Sequence, residues 1–300
     1  MAANPPTLVI YGADGQLGRA LAGLPPPAGW AVRLAARPEV DIADAASVER
    51  VVAGLSAGLV VNAAAYTAVD KAESEPDIAF AVNAGGAANI ADAAGCRGLA
   101  MVQLSTDFVF DGTKTGAYDE DDAPNPVSVY GASKLAGEQA VQQRLPRHVV
   151  LRTAWVFSAD GACFPRTILK LLRQRDEVRV VDDQWGCPTA AEHLAQAILQ
   201  MAPELAAAPA GDRRFGLFHC CGAPPVSRYG FAQAVAEQAQ AQGLAVGRVV
   251  PCATDIKAAT ARRPANSELS CARLTAIHGL PPPPWQTVLP AYVKIYGGES

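Results

Sequence analysis

Residues 7–11, Thr-Leu-Val-Ile-Tyr, form a short apolar β-prone run that stops at Gly12-Ala13-Asp14-Gly15-Gln16-Leu17-Gly18. No other stretch constrains the fold as strongly. Glycine permits a tight turn and lets backbone come close to a pyrophosphate. The helix that follows offers free N–H groups and the positive end of its dipole to that phosphate. Three glycines in a loop can also be a plain turn. Their place directly after a strand near the start of the chain favours a dinucleotide site. The expected fold is α/β, a Rossmann-type doubly wound parallel sheet with a smaller C-terminal substrate-binding lobe.

The next segments repeat the strand–helix alternation. Residues 31–35 read as a second strand ending at Ala35-Ala36-Arg37. No carboxylate stands there to receive the ribose hydroxyls of NAD, whereas Arg37 can meet a 2′-phosphate. The pattern leans to NADPH, with NADH as the alternative and a solvated Arg37 as the competing reading. Asp41 and Ile42 follow, placed to contact the adenine ring. Residues 44–55 read as helix and 59–61 as a third strand. Beyond it Ala65, Tyr66 and Thr67 lie where a strand end passes close to a cofactor. Val69-Asp70-Lys71-Ala72-Glu73 then leads into a helix running to about residue 94.

A fourth strand, 100–105, delivers Ser105, Thr106 and Asp107. In an open parallel sheet, ligands sit beyond the carboxyl ends of the strands. An extended backbone sends Ser105 and Thr106 to opposite sides, so only one faces a site. Either can instead serve as a cap or turn residue. A Pro- and acid-rich loop, 118–126, leads to Val-Tyr130-Gly-Ala-Ser-Lys134-Leu-Ala-Gly-Glu. On a helix, a spacing of four puts Tyr130 and Lys134 on one face. A phenol of pKa near ~10 is a poor acid or base at neutral pH, and a nearby ammonium is expected to lower it. An isolated Tyr-x-x-x-Lys match more often marks a packed tyrosine beside a solvated lysine. The glycine turn and Thr106 turn the pair into a ketone-reducing set.

A fifth strand covers 149–151, followed by Arg152 to Phe157. Beyond residue 160 the pattern becomes helix 167–173, strand 178–181, helix 190–201, loop 203–214, strand 217–220 and helix 227–242. A polar insertion at 262–267 and a proline run at 281–284 precede a final amphipathic segment. The expected division is a nucleotide-binding domain over 1–157. Residues 158–300 form mainly a substrate-binding lobe, with some elements returning to the first domain.

Composition excludes several classes. Half the residues (50%) are hydrophobic and 18% are charged, enough for a sizeable core and unlike a disordered chain. The net charge of −4, with no basic patch, argues against nucleic acid or an anionic membrane as partner. No apolar run reaches the ~18 residues of a membrane span, and the N-terminus has no basic n-region. Seven scattered cysteines without C-x-x-C speak against a disulfide framework or zinc and fit a reducing cytoplasm. Adjacent Cys220 and Cys221 read either as a redox-sensitive pair or as two small apolar residues at a strand end. The four histidines show no metal-ligand spacing.

With Thr106, Tyr130 and Lys134 set behind the glycine turn, the chain resembles the extended short-chain dehydrogenases/reductases, whose glycine spacing it shares. Within them it resembles the dTDP-4-dehydrorhamnose reductase family. The segments carrying the likeness are VNAAAYTAVDKAESEP (61–76), STDFVFDGT (105–113), NPVSVYGASKLAGE (125–138), RTAWVF (152–157), DDQWGCPT (182–189) and RRPANSEL (262–269). The resemblance implies reduction of a nucleotide-linked 4-keto-6-deoxysugar in the cytoplasm, by a protein that can pair as a homodimer. It implies that Gly12, Gly15, Gln16, Leu17 and Gly18 hold the pyrophosphate, that Asp41 and Ile42 flank adenosine, and that Ala65, Tyr66 and Thr67 lie beside the cofactor. Thr106, Tyr130 and Lys134 become catalytic. Val69, Asp107 and Trp155 line the sugar pocket, and Arg263 belongs to the nucleotide-sugar side. Phe108 stands where the family often has tyrosine. The family also implies magnesium held between subunits by carboxylates. Glu192 matches one such position, but Ala20 and Gln286 occupy the others, so a metal is not expected. Two further readings stay open: a 4-keto-6-deoxysugar reductase of other nucleotide or stereochemistry, and a regulatory subunit like the β subunit of methionine adenosyltransferase.

Overall fold

The computed structural model describes residues 5–255 and 260–298. The first half runs β1 (Thr7–Tyr11), α1 (Gln16–Gly23), β2 (Ala31–Ala35), α2 (Ala45–Val52), β3 (Gly58–Asn62), α3 (Val69–Ala72) and α4 (Pro76–Phe80). A π-helical turn (Ala81–Gly85), α5 (Gly86–Cys96), β4 (Ala100–Thr106), α6 (Val129–Arg144) and β5 (His148–Thr153) follow. The second half runs β6 (Val156–Phe157), α7 (Phe164–Gln174), β7 (Glu177–Val181), β8 (Trp185–Gly186), β9 (Thr189–Ala190) and α8 (Ala191–Ala207). It continues with β10 (Gly216–His219), β11 (Val226–Ser227), α9 (Arg228–Ala241), β12 (Arg248–Cys252), β13 (Asn266–Ser267), α10 (Ala272–His278) and α11 (Leu289–Gly298).

Among the described residues, six strands pair in parallel in the order β10-β5-β4-β3-β1-β2. The chain changes direction across the sheet between β1 and β3, so a crevice opens above their carboxyl ends. Both faces of the sheet are covered, and β1, β3 and β4 are buried at every position. Alternation decides which face each side chain joins. Leu8 and Ile10 of β1 pack with Leu17 and Leu21 of α1 and with Leu194 and Ile198 of α8. Val9 and Tyr11 pack on the other face with Val48 of α2, Ile90 of α5 and Val141 of α6. A separate core joins α7, β7, α9 and α11 around Phe157, Phe231, Trp285 and Tyr292.

Two expected elements change. The long helix expected up to residue 94 is broken into α3, α4, a π turn and α5. The loop expected at 203–214 starts later, because α8 continues through Pro203 to Ala207. An interior proline costs about 3 kcal/mol. Burying Met201 and Leu205, both essentially inaccessible, returns roughly 1.5–3 kcal/mol each, enough to hold the last turn.

Candidate active site

A cleft of about 630 Å³ lies above the carboxyl ends of β1, β3 and β4. Gly12, Gly15, Gln16, Leu17, Arg37, Ile42, Ala65, Tyr66, Thr67, Tyr130 and Lys134 all line it. The glycines divide the work. Gly12 has φ +78°, and a Cβ there would sit 2.5 Å from the Ala64 nitrogen. Gly18 does not face the cleft. A Cβ on it would fall 2.1 Å from the Gly12 carbonyl, so it lets α1 close against the turn. Arg37 lines the cleft and is held loosely by Asp41 at 3.4 Å. Asp41 itself stays outside the cleft lining and accepts from the Ala43 backbone N–H at 3.0 Å.

Ser105 and Thr106 take different partners: Ser105 lines the cleft and Thr106 does not, but Thr106 lies beside the Tyr130 phenol. Ser105 donates to Glu138, whose carboxylate makes a two-pronged ion pair with Arg152 at 2.9 and 2.7 Å in the interior. Thr106 turns the other way. Its Oγ1 donates to Asp107 Oδ1 at 2.9 Å and accepts from the Phe108 N–H at 3.2 Å. Tyr130 rises beside it from the first turn of α6, with the Phe108 ring edge-on at 5.5 Å. That helix start is fixed twice: Ser128 Oγ accepts from the Gly131 N–H, and Glu73 accepts from the Val129 N–H. Gly131 is needed there because a Cβ would fall 2.2 Å from the Phe108 carbonyl.

The electrostatics differ from the expectation. Burial pushes the half-buried Tyr130 phenol up to about 12; Thr106 draws it down and the Asp107 carboxylate raises it further. Lys134 does not lower it. The Lys134 ammonium donates to the Leu104 carbonyl at 2.6 Å. Burial pulls that ammonium down to about 8, against the pull of Glu138 in the other direction. Tyr130 is therefore a fully protonated phenol at neutral pH, the state a proton donor needs.

Val69, Thr106, Asp107, Trp155 and Arg263 do not line this cleft. Thr106 and Asp107 lie beside Tyr130, and Asp107 is buried with Oδ2 lacking a hydrogen-bond partner. Burial raises its carboxyl; the Ser267 and Thr106 hydroxyls and the Arg228 charge oppose that. Trp155 stands just past β5 at φ +47°, in the left-handed region. Arg263 pairs with Asp70 at 2.7 Å, one residue beyond Val69.

Some functional residues escaped the sequence reading. Asn83, buried in the π turn, accepts from the Tyr66 N–H at 2.8 Å and donates to the Tyr66 carbonyl and to Ser133 Oγ. It ties the 65–67 loop to α6 one residue before Lys134. π turns often mark such sites. The available signal was an asparagine inside an apolar helical stretch. Thr153 and Val156, from the RTAWVF segment, and Leu194 of α8 also line the cleft.

Of the positions where the resemblance implies carboxylates, Glu192 keeps one, and Ala20 and Gln286 do not. Glu192 and Ala20 share a small cavity with Arg19 and Asp160, and Gln286 is not part of its lining. Among the described residues, no three His, Cys, Asp or Glu side chains are grouped to hold a metal.

The family model described as the RmlD substrate binding domain matches residues 6–297. A dTDP-4-dehydrorhamnose reductase of Sinorhizobium fredii is 41% identical over 283 residues, 93% of this chain and 94% of that protein. The enzyme of the same name from Burkholderia thailandensis is 40% identical, covering 93% and 95%. The crystal structure of a dTDP-4-dehydrorhamnose reductase from Clostridium acetobutylicum superposes with TM-score 0.88 at 34% identity, covering 97% of this chain and 99% of that one. One from Bacillus anthracis, in complex with NADP, gives TM-score 0.87 at 31% identity, covering 96% and 98%.

Proposed function

Since the chain belongs to the dTDP-4-dehydrorhamnose reductase family, we propose that it reduces the C4 ketone of dTDP-4-dehydro-β-L-rhamnose with NADPH, yielding dTDP-β-L-rhamnose. The observation that carries this reading is the placement of Tyr130, with Thr106 beside it and Lys134 one turn along α6, in a strand-end cleft that the Gly12 turn also lines.

The reduced nicotinamide supplies hydride to C4 when bound. Tyr130 delivers the proton to the developing alkoxide. Thr106 shares that oxygen's environment and fixes the phenol's direction. Lys134, held by Leu104, presents a positive charge beside the cofactor ribose and stabilises negative charge on the reacting oxygen. Gly12, Gly15, Gln16 and Leu17 cradle the pyrophosphate, with Gly18 supporting the turn. Arg37 and Asp41 flank the adenosine end, beside Ile42. Ala65, Tyr66 and Thr67 wall the cofactor. Val69, Asp107, Trp155 and Arg263 receive the nucleotide-sugar. The aligning of two bound partners is the protein's main contribution.

The same reading divides the chain at about residue 157, with α8, β10 and α10 returning to the nucleotide-binding half. Packing of α8 and of Phe218 and Leu274 into the first core supports that division. The reading also has the protein acting in the cytoplasm, as a homodimer, which light scattering on the purified protein checks. Among the described residues, no helix is long and apolar enough to cross a membrane.

Coupled turnover tests the function. dTDP-glucose is converted in place by a dehydratase and an epimerase, and loss of reduced-cofactor absorbance is followed. The expected result is ketosugar-dependent oxidation, faster with NADPH than NADH, and a rhamno-configured product by NMR. Cofactor binding without ketosugar-dependent oxidation would remove the reading.

A further inference from the structure

Arg228 opens α9, placed by the Arg228 N–H donating to the Gln184 carbonyl at 3.0 Å and by the Ser227 cap. Its guanidinium carbon lies 3.6 Å from the centre of the Trp155 ring and 5.0 Å from that of Phe164. Trp155 is the sole non-glycine residue at positive φ among those described. Its indole fits only because residue 186 is glycine, where a Cβ would fall 2.4 Å from the ring. On the other side, the guanidinium charge acts on the buried Asp107 carboxylate, whose Oδ2 has no hydrogen-bond partner. A cation stacked on an indole restrains the ring.

We propose that Arg228 is a positioning residue of the ketosugar site: stacked on Trp155, it holds the indole in its left-handed conformation and sets its charge against Asp107. The inference rests on the reductase reading above. It assigns Arg228 no contact with the cofactor, since Arg228 lies outside the cofactor cleft lining. A flat guanidinium on indole attracts the ring quadrupole, a contribution that grows as water is excluded. The groups facing Asp107 are the Thr106 and Ser267 hydroxyls, the Tyr130 phenol and Arg228, and Arg263 opposes the Arg228 charge. Without Arg228 no cation favours ionised Asp107, so its protonation moves to higher pH.

The test is steady-state kinetics of wild type, Arg228→Met and Arg228→Lys with ketosugar and NADPH varied separately. Arg228→Met keeps much of the apolar stem and loses the cation. It is expected to raise KM for the ketosugar about tenfold, in keeping with a desolvated cation–π contact, and to leave KM for NADPH within twofold. The rise of ketosugar KM on acidification should begin at higher pH in Arg228→Met than in wild type. Arg228→Lys should recover part of both effects. Unchanged ketosugar KM in Arg228→Met overturns the inference, as does an equal rise in both KM values. So does a Met variant whose pH profile matches wild type. If Arg228→Met does not fold, Arg228→Lys decides: KM for ketosugar between twofold and tenfold above wild type supports the inference, and any other split overturns it. A wild type that oxidises NADPH with ketosugar while Arg228→Met is unaltered removes this inference alone. A wild type inert toward ketosugar removes the functional reading and this inference with it.

Discussion

One hydroxyl proton limits what Thr106 can do. Thr106 Oγ1 spends it on Asp107 and accepts from Phe108, which supports the proposal that Tyr130 supplies the proton to substrate oxygen. Tyr130→Phe is therefore expected to lower turnover by roughly 10²–10⁴-fold, with NADPH affinity, measured by fluorescence titration, close to wild type. Near-normal turnover would remove the mechanism. The pH dependence belongs to Lys134, not to the phenol. Lys134 carries its proton below about 8 and loses it as pH rises through that value, while Tyr130 stays protonated to about 12. The profile of kcat/KM, which reports the free enzyme, should fall on the alkaline side from near pH 8, and Lys134→Arg should move that limb upward. Stability has its own sign. The folded pKa of Lys134 lies below the unfolded value of ~10.4, so the unfolded chain binds more protons between the two. The Lys134 penalty is full below pH 8 and relieved as pH climbs toward 10.

At the scale of elements, α6 is pressed onto its neighbours. Its contact with the π turn is made through Gly137, where a Cβ would fall 2.2 Å from the Asn83 carbonyl. Gly137→Ala is expected to cost ~1–3 kcal/mol. Gly85, exposed at φ −61° with open space around it, should do the reverse: Gly85→Ala gains ~0.5–1 kcal/mol. Urea denaturation of the two variants checks both signs, and equal effects would mean that the close approach of α6 is wrong. The buried Glu138–Arg152 pair joins α6 to β5. Arg152→Met leaves a carboxylate uncompensated in the interior and is expected to cost ~3–5 kcal/mol, most of it recovered in Arg152→Met/Glu138→Leu. Single and double variants with the same midpoint would contradict this.

For the whole molecule, the cysteines report on packing. Cys96 is exposed, Cys252 is half-buried, and Cys163, Cys187, Cys220, Cys221 and Cys271 are buried. Burial also raises the Cys220 thiol, lowering its thiolate fraction. Iodoacetamide on the native protein, read by peptide mass spectrometry, should modify Cys96 first and Cys252 more slowly. Cys220 and Cys221 should react only after denaturation. Labelling of either in the native state would mean that the end of β10 is open to solvent. The two residues are core at a strand end, and Cys221 Sγ meets Cys271 Sγ at 3.4 Å, not its sequence neighbour.

The strands of the parallel sheet, the glycine turn and the Tyr130–Lys134 face were all legible in the chain's local order. Each of these is written in local order: a period of two, a period near four, and glycine where backbone must pass close. Tertiary structure gave Ser105 and Thr106 different partners, because Glu138 and Arg152 arrive from other elements. It moved the end of α8 beyond Pro203, since distant core contacts outweigh a local helix breaker. It reversed the expected tuning of the phenol, because burial is a property of everything packed around Tyr130 and not of a neighbour four residues away. And it brought Arg228 onto Trp155 and Asp107 onto Thr106, contacts between residues far apart or differently turned that no spacing encodes.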